Sequence, residues 1–309
     1  MKPIYESTPL WESLPLSAAM EARVFLKMEA LQPAGSFKAR GMSTACLASR
    51  EAGATRLVSS SGGNAGYAVT YAGRRLGMPT TVVVPKTTTQ RSRELIEGEG
   101  AELIEHGDSW DDPHAYAVEL AKAESGAYIH PFDDPRVWAG NATIIDEIAE
   151  NGTKPSAIVA SVGGGGLLCG LLQGLHHVGW VDVPVLAVET EGAASFAASV
   201  KAGELVTLGS ITSVATSLGA RKVASEALEW TRRHEIIPWV VTDRDAVDAC
   251  LRFADDHRVL VEPACGASLS AVYRRAEPLE GLDSVVVIVC GGAGVTRALL
   301  EKWDRDVRP

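Results

Sequence analysis

The 309 residues carry 29 Lys+Arg against 39 Asp+Glu, a formal net charge of −10 with no extended basic run, which argues against a nucleic-acid surface. With 46% hydrophobic and 22% charged residues, 30 Gly and 15 Pro, the composition is neither disordered nor fibrous, and it suits one large or two interleaved α/β domains. Residues 1–6 lack the basic and apolar regions of an export signal, and no apolar stretch reaches the roughly 18 residues of a membrane span. Five cysteines (Cys46, Cys169, Cys250, Cys265, Cys290) form no CxxC pair and no metal-spaced cluster, so reduced thiols in a cytoplasmic protein are expected.

In chain order, the first apolar, β-branched run predicts a strand over 24–28, followed by the turn-forming Gln32-Pro33-Ala34-Gly35-Ser36 and then Phe37-Lys38-Ala39-Arg40-Gly41. A strand over 56–59 runs into Ser59-Ser60-Ser61-Gly62-Gly63-Asn64-Ala65-Gly66, which opens a helix over 66–76. Strands over 80–84 and 102–105 and helices over 114–124 and 139–150 come next. A strand over 157–161 leads into Gly163-Gly164-Gly165-Gly166 and a helix over 166–175. The remainder reads as a strand over 183–188, a helix over 221–234, a strand over 239–242, helices over 243–257 and 265–276, and a strand over 284–289 ending in Cys290-Gly291-Gly292-Ala293-Gly294. Such alternation predicts parallel strands joined by helices, with no repeat and no extended linker.

Three glycine-rich turns thus follow apolar strands, at the carboxyl ends where open α/β sheets bind ligands. Four consecutive glycines expose backbone N–H groups ahead of a helix start, which suits a phosphate. Glu189 lies roughly 20 residues beyond, where a dinucleotide-binding acid would sit, but the third glycine of G-x-G-x-x-G would have to be Leu168 or Cys169.

By residue type alone Lys38 is a solvated surface lysine. Its context resembles something more specific. Pro33-Ala34-Gly35-Ser36-Phe37-Lys38-Ala39-Arg40-Gly41 resembles the cofactor-lysine motif of the fold type II, or tryptophan-synthase β-like, pyridoxal-phosphate enzymes. The 61–64 turn, the tetraglycine and Cys290 resemble that family's substrate-carboxylate loop, phosphate loop and strand-end residue facing the pyridine nitrogen. Within the family, Pro131-Phe132-Asp133-Asp134-Pro135, Ile211-Thr212-Ser213-Val214-Ala215 and Val261-Glu262-Pro263-Ala264-Cys265-Gly266-Ala267 are similar to the liver-type L-serine dehydratase/L-threonine deaminase group.

The resemblance implies an α/β fold of two domains, each an open, twisted, mostly parallel sheet flanked by helices. The small domain spans 33–135, the large one 1–32 and 136–309, with pyridoxal 5'-phosphate in the cleft between them. It implies that Lys38 bonds the cofactor and carries the proton, that Phe37 packs on the pyridine face and that Asn64 meets the ring hydroxyl. Pro131, Gly163, Gly164, Gly165, Gly166 and Leu167 complete the cofactor site, and Ser61, Gly62, Gly63 and Asn64 hold the substrate carboxylate. Glu189, Ala193, Ser195, Leu218 and Ala220 occupy the positions of a monovalent-cation site, expected to take K+; the bland alternative is that Glu189 caps a loop. A homodimer acting on a small amino acid is expected, without a nucleic-acid or membrane partner.

Cys290 is a neutral thiol, with an ordinary pKa of roughly 8.5, and cannot hold a proton on the pyridine nitrogen as a carboxylate would. That favours loss of a β-hydroxyl over transamination, giving pyruvate from L-serine or 2-oxobutyrate from L-threonine, with ammonia. Gly62 lacks the hydroxyl that serine racemases carry there, Ala65 replaces the histidine of many biosynthetic threonine deaminases, and the chain stops soon after Thr296, which predicts no regulatory C-terminal domain. After Cys290-Gly291-Gly292 the expected polar residues are replaced by Ala293-Gly294-Val295. The competing readings are β-elimination or β-replacement on a bulkier amino acid, and a non-catalytic amino-acid or nucleotide binding protein.

Overall fold

The computed structural model of the chain describes residues 3–107, 111–152 and 154–308. Strands form where short β-branched runs are bounded by turn residues. They are β1 (Leu10–Glu12), β2 (Arg23–Lys27), β3 (Leu57–Ser59), β4 (Thr80–Val84), β5 (Glu102–Glu105), β6 (Ala127–Tyr128), β7 (Ala157–Ser161), β8 (Val185–Thr190), β9 (Ile236–Val241) and β10 (Ser284–Ile288). The helices are α1 (Leu14–Met20), α2 (Lys38–Glu51), α3 (Asn64–Leu76), α4 (Gln90–Gly98), α5 (Asp111–Ala123), α6 (Pro135–Glu150), α7 (Gly166–His177), α8 (Ser195–Ala202), α9 (Ser225–Trp230), α10 (Asp243–His257), α11 (Pro263–Tyr273) and α12 (Arg297–Asp306). Among the described residues no helix is long and apolar enough to cross a membrane.

Two sheets result, as the alternation predicts. The six-stranded one is ordered β1-β2-β10-β7-β8-β9, parallel except for β1 at one edge, and unites the N-terminal segment with the second half of the chain. The four-stranded one, β5-β4-β3-β6, is parallel throughout. Strands β4, β7 and β8 are buried along their whole length, as expected of parallel strands covered on both faces.

Several elements depart from the sequence expectation. The strands β1 and β6 are too short to give a pattern, and α1, α2, α4, α8 and α12 lie where no helix is expected. The helix expected over 221–234 shrinks to α9. The last strand before α10 starts at Ile236 rather than 239 and runs through Pro238, which a sheet tolerates because β9 is an edge strand with no further neighbour for the missing N–H.

Helix α6 is the pillar of the site. It starts at Pro135 after Asp134, whose carboxylate accepts from the Arg136 amide at 2.8 Å, a proline-at-first-turn start with an acidic cap. On one side it meets α7 along Gly166, Gly170 and Gly174, one glycine per helical turn; a β-carbon at Gly170 would stand 2.4 Å from Asn141 Cβ. On the other side it meets α2, where a β-carbon at Gly140 would stand 2.7 Å from Gly41 Cα. The missing side chains let three helix backbones approach closely. Beneath the start of α2, the fully buried Arg40 guanidinium bonds the Glu29 carboxylate (2.8 and 2.9 Å) and the Glu147 carboxylate (2.7 Å to each oxygen), and Lys27 bonds Glu147 as well. Two cations and two anions cancel, which makes this burial tolerable.

Candidate active site

The lysine turn is stitched to the loop after β10. Gly35 has φ +69°, Ser36 bridges Gly291, the Phe37 amide donates to the Cys290 carbonyl at 3.0 Å, and the Gly292 amide donates to the Gly35 carbonyl at 3.0 Å. The contact is so close that a β-carbon at Gly291 would stand 2.4 Å from the Gly35 carbonyl oxygen, and the φ of +108° there is itself one for glycine. Lys38, the first residue of α2, is thereby set beside Cys290. Its amine donates to the Pro131 carbonyl at 2.5 Å and lies 5.1 Å from the Phe37 ring centroid. Burial lowers its pKa to about 8, against the opposing pull of Cys290 and Glu262.

The next residue along, Phe132, joins the lysine to the tetraglycine. Its ring occupies the space a side chain at Gly164 would need, since a β-carbon there would stand 2.2 Å from the ring, and its carbonyl accepts from the Trp138 indole at 2.7 Å. Gly163 lies against the backbone of Leu218, and the Ala224 amide donates to the Gly164 carbonyl at 3.0 Å. Asn141 of α6 donates to the Gly166 carbonyl at 2.9 Å and fixes the start of α7. The tetraglycine precedes the positive end of the twelve-residue α7, with Leu167 in its first turn, an arrangement suited to an anion. His130, pushed down to about 4 chiefly by burial, accepts from the Phe132 and Asp133 amides and pins this segment.

From the other sheet comes the 61–64 turn between β3 and α3. The Gly63 amide donates to the Ser61 hydroxyl at 3.3 Å, and Gly62 faces Thr88, whose Cγ2 and Oγ1 would each stand 2.7 Å from a β-carbon at 62. The Asn64 side chain crosses to the six-stranded half: its amide nitrogen donates to Glu262 at 2.7 Å and its oxygen accepts from the Ala293 amide at 2.9 Å. Cys290 is a buried free thiol hydrogen-bonded with the Cys265 thiol; that hydrogen bond and burial raise its pKa well above the usual thiol range, so the thiol is neutral. Phe37, Lys38, Asn64, Pro131, the tetraglycine and Cys290 therefore lie on segments that contact one another, near the helix starts of α2, α3 and α7. Residues not anticipated for the site are Thr88, Phe132, Asn141, Glu262 and Cys265. Of these Phe132, Glu262 and Cys265 lie in stretches that carry the family resemblance, though no role was assigned to them, while Thr88 and Asn141 carried no signal.

Glu189 lies in β8 and is fully buried; both carboxylate oxygens accept amides of the first turn of α8, from Phe196 at 2.9 Å and Ala197 at 2.7 Å. Glu189 thus caps the start of α8. Burial still pushes its pKa up to about 7, and the Ser195 hydroxyl beside it is buried without a partner. Ala193 is buried in the turn between them, whereas Leu218 backs Gly163 and Ala220 follows it.

These features suit pyridoxal phosphate: a desolvated lysine amine, a glycine-rich turn at a helix start separated from it by the Pro131-Phe132 step, and a neutral thiol. The comparisons with known proteins agree. The chain is 48% identical to the L-serine dehydratase/L-threonine deaminase of Bos taurus, covering 97% of this chain and 94% of that protein. It is also 48% identical to a serine dehydratase-like protein of Rattus norvegicus, with the same coverage. The crystal structure of a fungal L-serine ammonia-lyase from Rhizomucor miehei superposes with a TM-score of 0.93 at 38% identity, covering 99% of this chain and 100% of that one. The family described as pyridoxal-phosphate dependent enzyme matches residues 1–291, and the chain belongs to it.

Proposed function

We propose that this chain is an L-serine ammonia-lyase that also accepts L-threonine, releasing pyruvate or 2-oxobutyrate and ammonia. The observation that carries the reading is the desolvated Lys38 amine beside the neutral Cys290 thiol, in a chain similar over nearly its whole length to an L-serine dehydratase/L-threonine deaminase. When bound, pyridoxal phosphate supplies an electron sink for the substrate α-carbon and, through its phosphate, an acid for the leaving hydroxyl.

Lys38, Phe37, Asn64, Pro131, Gly163, Gly164, Gly165, Gly166, Leu167 and Cys290 would hold the cofactor. The Ser61 hydroxyl and the backbone N–H groups of Gly62 and Gly63 would bind the substrate carboxylate, as backbone donors suit an anion. With a pKa of about 8, Lys38 exchanges a proton near neutrality and serves as base at the α-carbon. The Cys290 thiol, uncharged, offers no ion pair to a protonated ring nitrogen, which disfavours long-lived carbanion chemistry. The reading places the domain boundaries near 33 and 135, so that the substrate loop belongs to the smaller unit.

A monovalent cation, K+ in this reading, would sit at Glu189 with the Ser195 hydroxyl and the carbonyls of Ala193, Leu218 and Ala220. The buried carboxylate and the orphaned hydroxyl support it. A homodimer in solution belongs to the same reading and is checked by sedimentation.

The test is the near-visible absorption of the purified protein with pyridoxal phosphate, repeated for Lys38→Ala, together with keto-acid assays on L-serine and L-threonine. A band that requires Lys38, with keto acid formed, is the expected result. A band without either product would point to β-replacement or a bulkier substrate.

A further inference from the structure

Glu262 has no part in the chemistry above, yet separate segments converge on it. Its carboxylate accepts from the Asn64 amide at 2.7 Å and from the Ser217 hydroxyl. Its backbone amide donates to the Gly291 carbonyl at 3.3 Å, and Gly292 approaches so closely that a β-carbon there would stand 2.8 Å from Glu262 Cβ and Cγ. Asn64 immediately follows the 61–63 turn and belongs to the half built on the four-stranded sheet; Glu262, Ser217 and Gly292 belong to the other half.

An asparagine amide can face either of two ways, and its partners decide which. Here Ala293 N–H can only be accepted, and a carboxylate can only accept, so one orientation satisfies both. Of the two amide N–H groups, one is spent on Glu262 and the other stays available. A glutamine in place of Glu262 would still accept one bond, but its own NH₂ would compete with the Ser217 hydroxyl and the Asn64 amide as a donor.

We propose that Glu262 is a positioning residue, a clamp that holds the Asn64 amide in one orientation and keeps the substrate loop closed against the half built on the six-stranded sheet. The identity of the molecule the loop closes on rests on the function proposed above; the clamp itself does not. Burial raises the Glu262 carboxyl to about 7, with Ser217, Asn64 and Lys38 pulling the other way. The other titratable groups facing it are the Cys290 and Cys250 thiols, both neutral because their pKa values lie well above the thiol range. As pH falls through about 7 the carboxyl gains a proton, turns partly donor, and the clamp loosens.

The experiment compares parent, Glu262→Gln and Glu262→Ala by hydrogen exchange of the 61–64 backbone amides, with and without pyridoxal phosphate, and by the pH dependence of KM and kcat for L-serine. In the parent, loop exchange quickens and KM rises as pH drops below about 7. In Glu262→Gln both lose that pH dependence, and in Glu262→Ala exchange is faster at every pH and KM rises roughly tenfold or more, with kcat less affected, from loss of a hydrogen bond to a charged acceptor. Loop exchange and a KM profile matching the parent in both variants would overturn the clamp. Should either variant not fold, Ser217→Ala, which removes one donor, is expected to raise the pH at which the parent's loop loosens; an unmoved midpoint would overturn it equally. If no cofactor band forms, the function proposed above fails, while exchange in the cofactor-free protein still decides the clamp.

Discussion

At the scale of single residues, the burial of Lys38 has a thermodynamic signature of its own. A lysine depressed from 10.5 to about 8 disfavours the folded state wherever the unfolded chain would keep the proton, and this penalty vanishes above the unfolded pKa. The shift corresponds to on the order of 3 kcal/mol, partly offset in any variant by the Pro131 carbonyl losing its donor. Cofactor-free Lys38→Met should therefore resist urea better than the parent below about pH 8, with the gap narrowing as pH rises toward 10.5; a gap independent of pH would contradict the burial. A second prediction concerns Gly62, whose missing side chain is replaced in space by Thr88. Gly62→Ala should lower kcat/KM for L-serine several-fold, and the loss should be largely restored by Thr88→Ala, a coupling of roughly 0.5–3 kcal/mol in a double-mutant cycle. Lys38, Gly62 and Cys290 were legible in the sequence because each sits in a motif. Thr88 was not, because nothing in a local pattern tells which loop from a neighbouring strand fills the space a glycine leaves.

At the scale of elements, the site is held by the starts of α2, α3 and α7, and α6 sets two of these. Gly170→Ala would drive a β-carbon to 2.4 Å from Asn141 Cβ and 2.8 Å from the Trp138 carbonyl, pushing α7 and the tetraglycine turn before it off α6. Overpacking of this kind costs roughly 1–3 kcal/mol, so urea titration should show that loss together with a weaker affinity for pyridoxal phosphate. Arg40, two residues past the lysine, roots α2 in the buried ion cluster; Arg40→Met would strand Glu29 and Glu147 without their main partner and should destabilise by roughly 3–5 kcal/mol. Helix α2 escaped notice in the sequence because this face is not apolar: a lysine and an arginine occupy inward positions, the first bonded to the Pro131 carbonyl and the second to the Glu29 and Glu147 carboxylates. Strand β9 was read three residues short because Pro238 forbids a central strand, and only the sheet order makes it an edge.

At the scale of the whole molecule, the two sheets meet through side chains and loops rather than a shared strand, with the Asn64 amide bonded across to Glu262 and Ala293. The buried Glu189 carboxylate gives a global readout: K+ should raise the thermal midpoint above that in Li+ at equal ionic strength, and Glu189→Gln should abolish the difference. The sequence by itself determined the alternation of strands and helices and the glycine-rich turns that follow the strands, because periodicity, glycine runs and turn residues act within a few residues of each other. Only the tertiary structure decided that Phe132 fills the gap at Gly164, that Cys265 partners Cys290, and that Glu262 lies 198 residues from the asparagine it orients. Those contacts depend on burial and on which groups are left to satisfy one another between distant segments, and no local pattern in the chain encodes them.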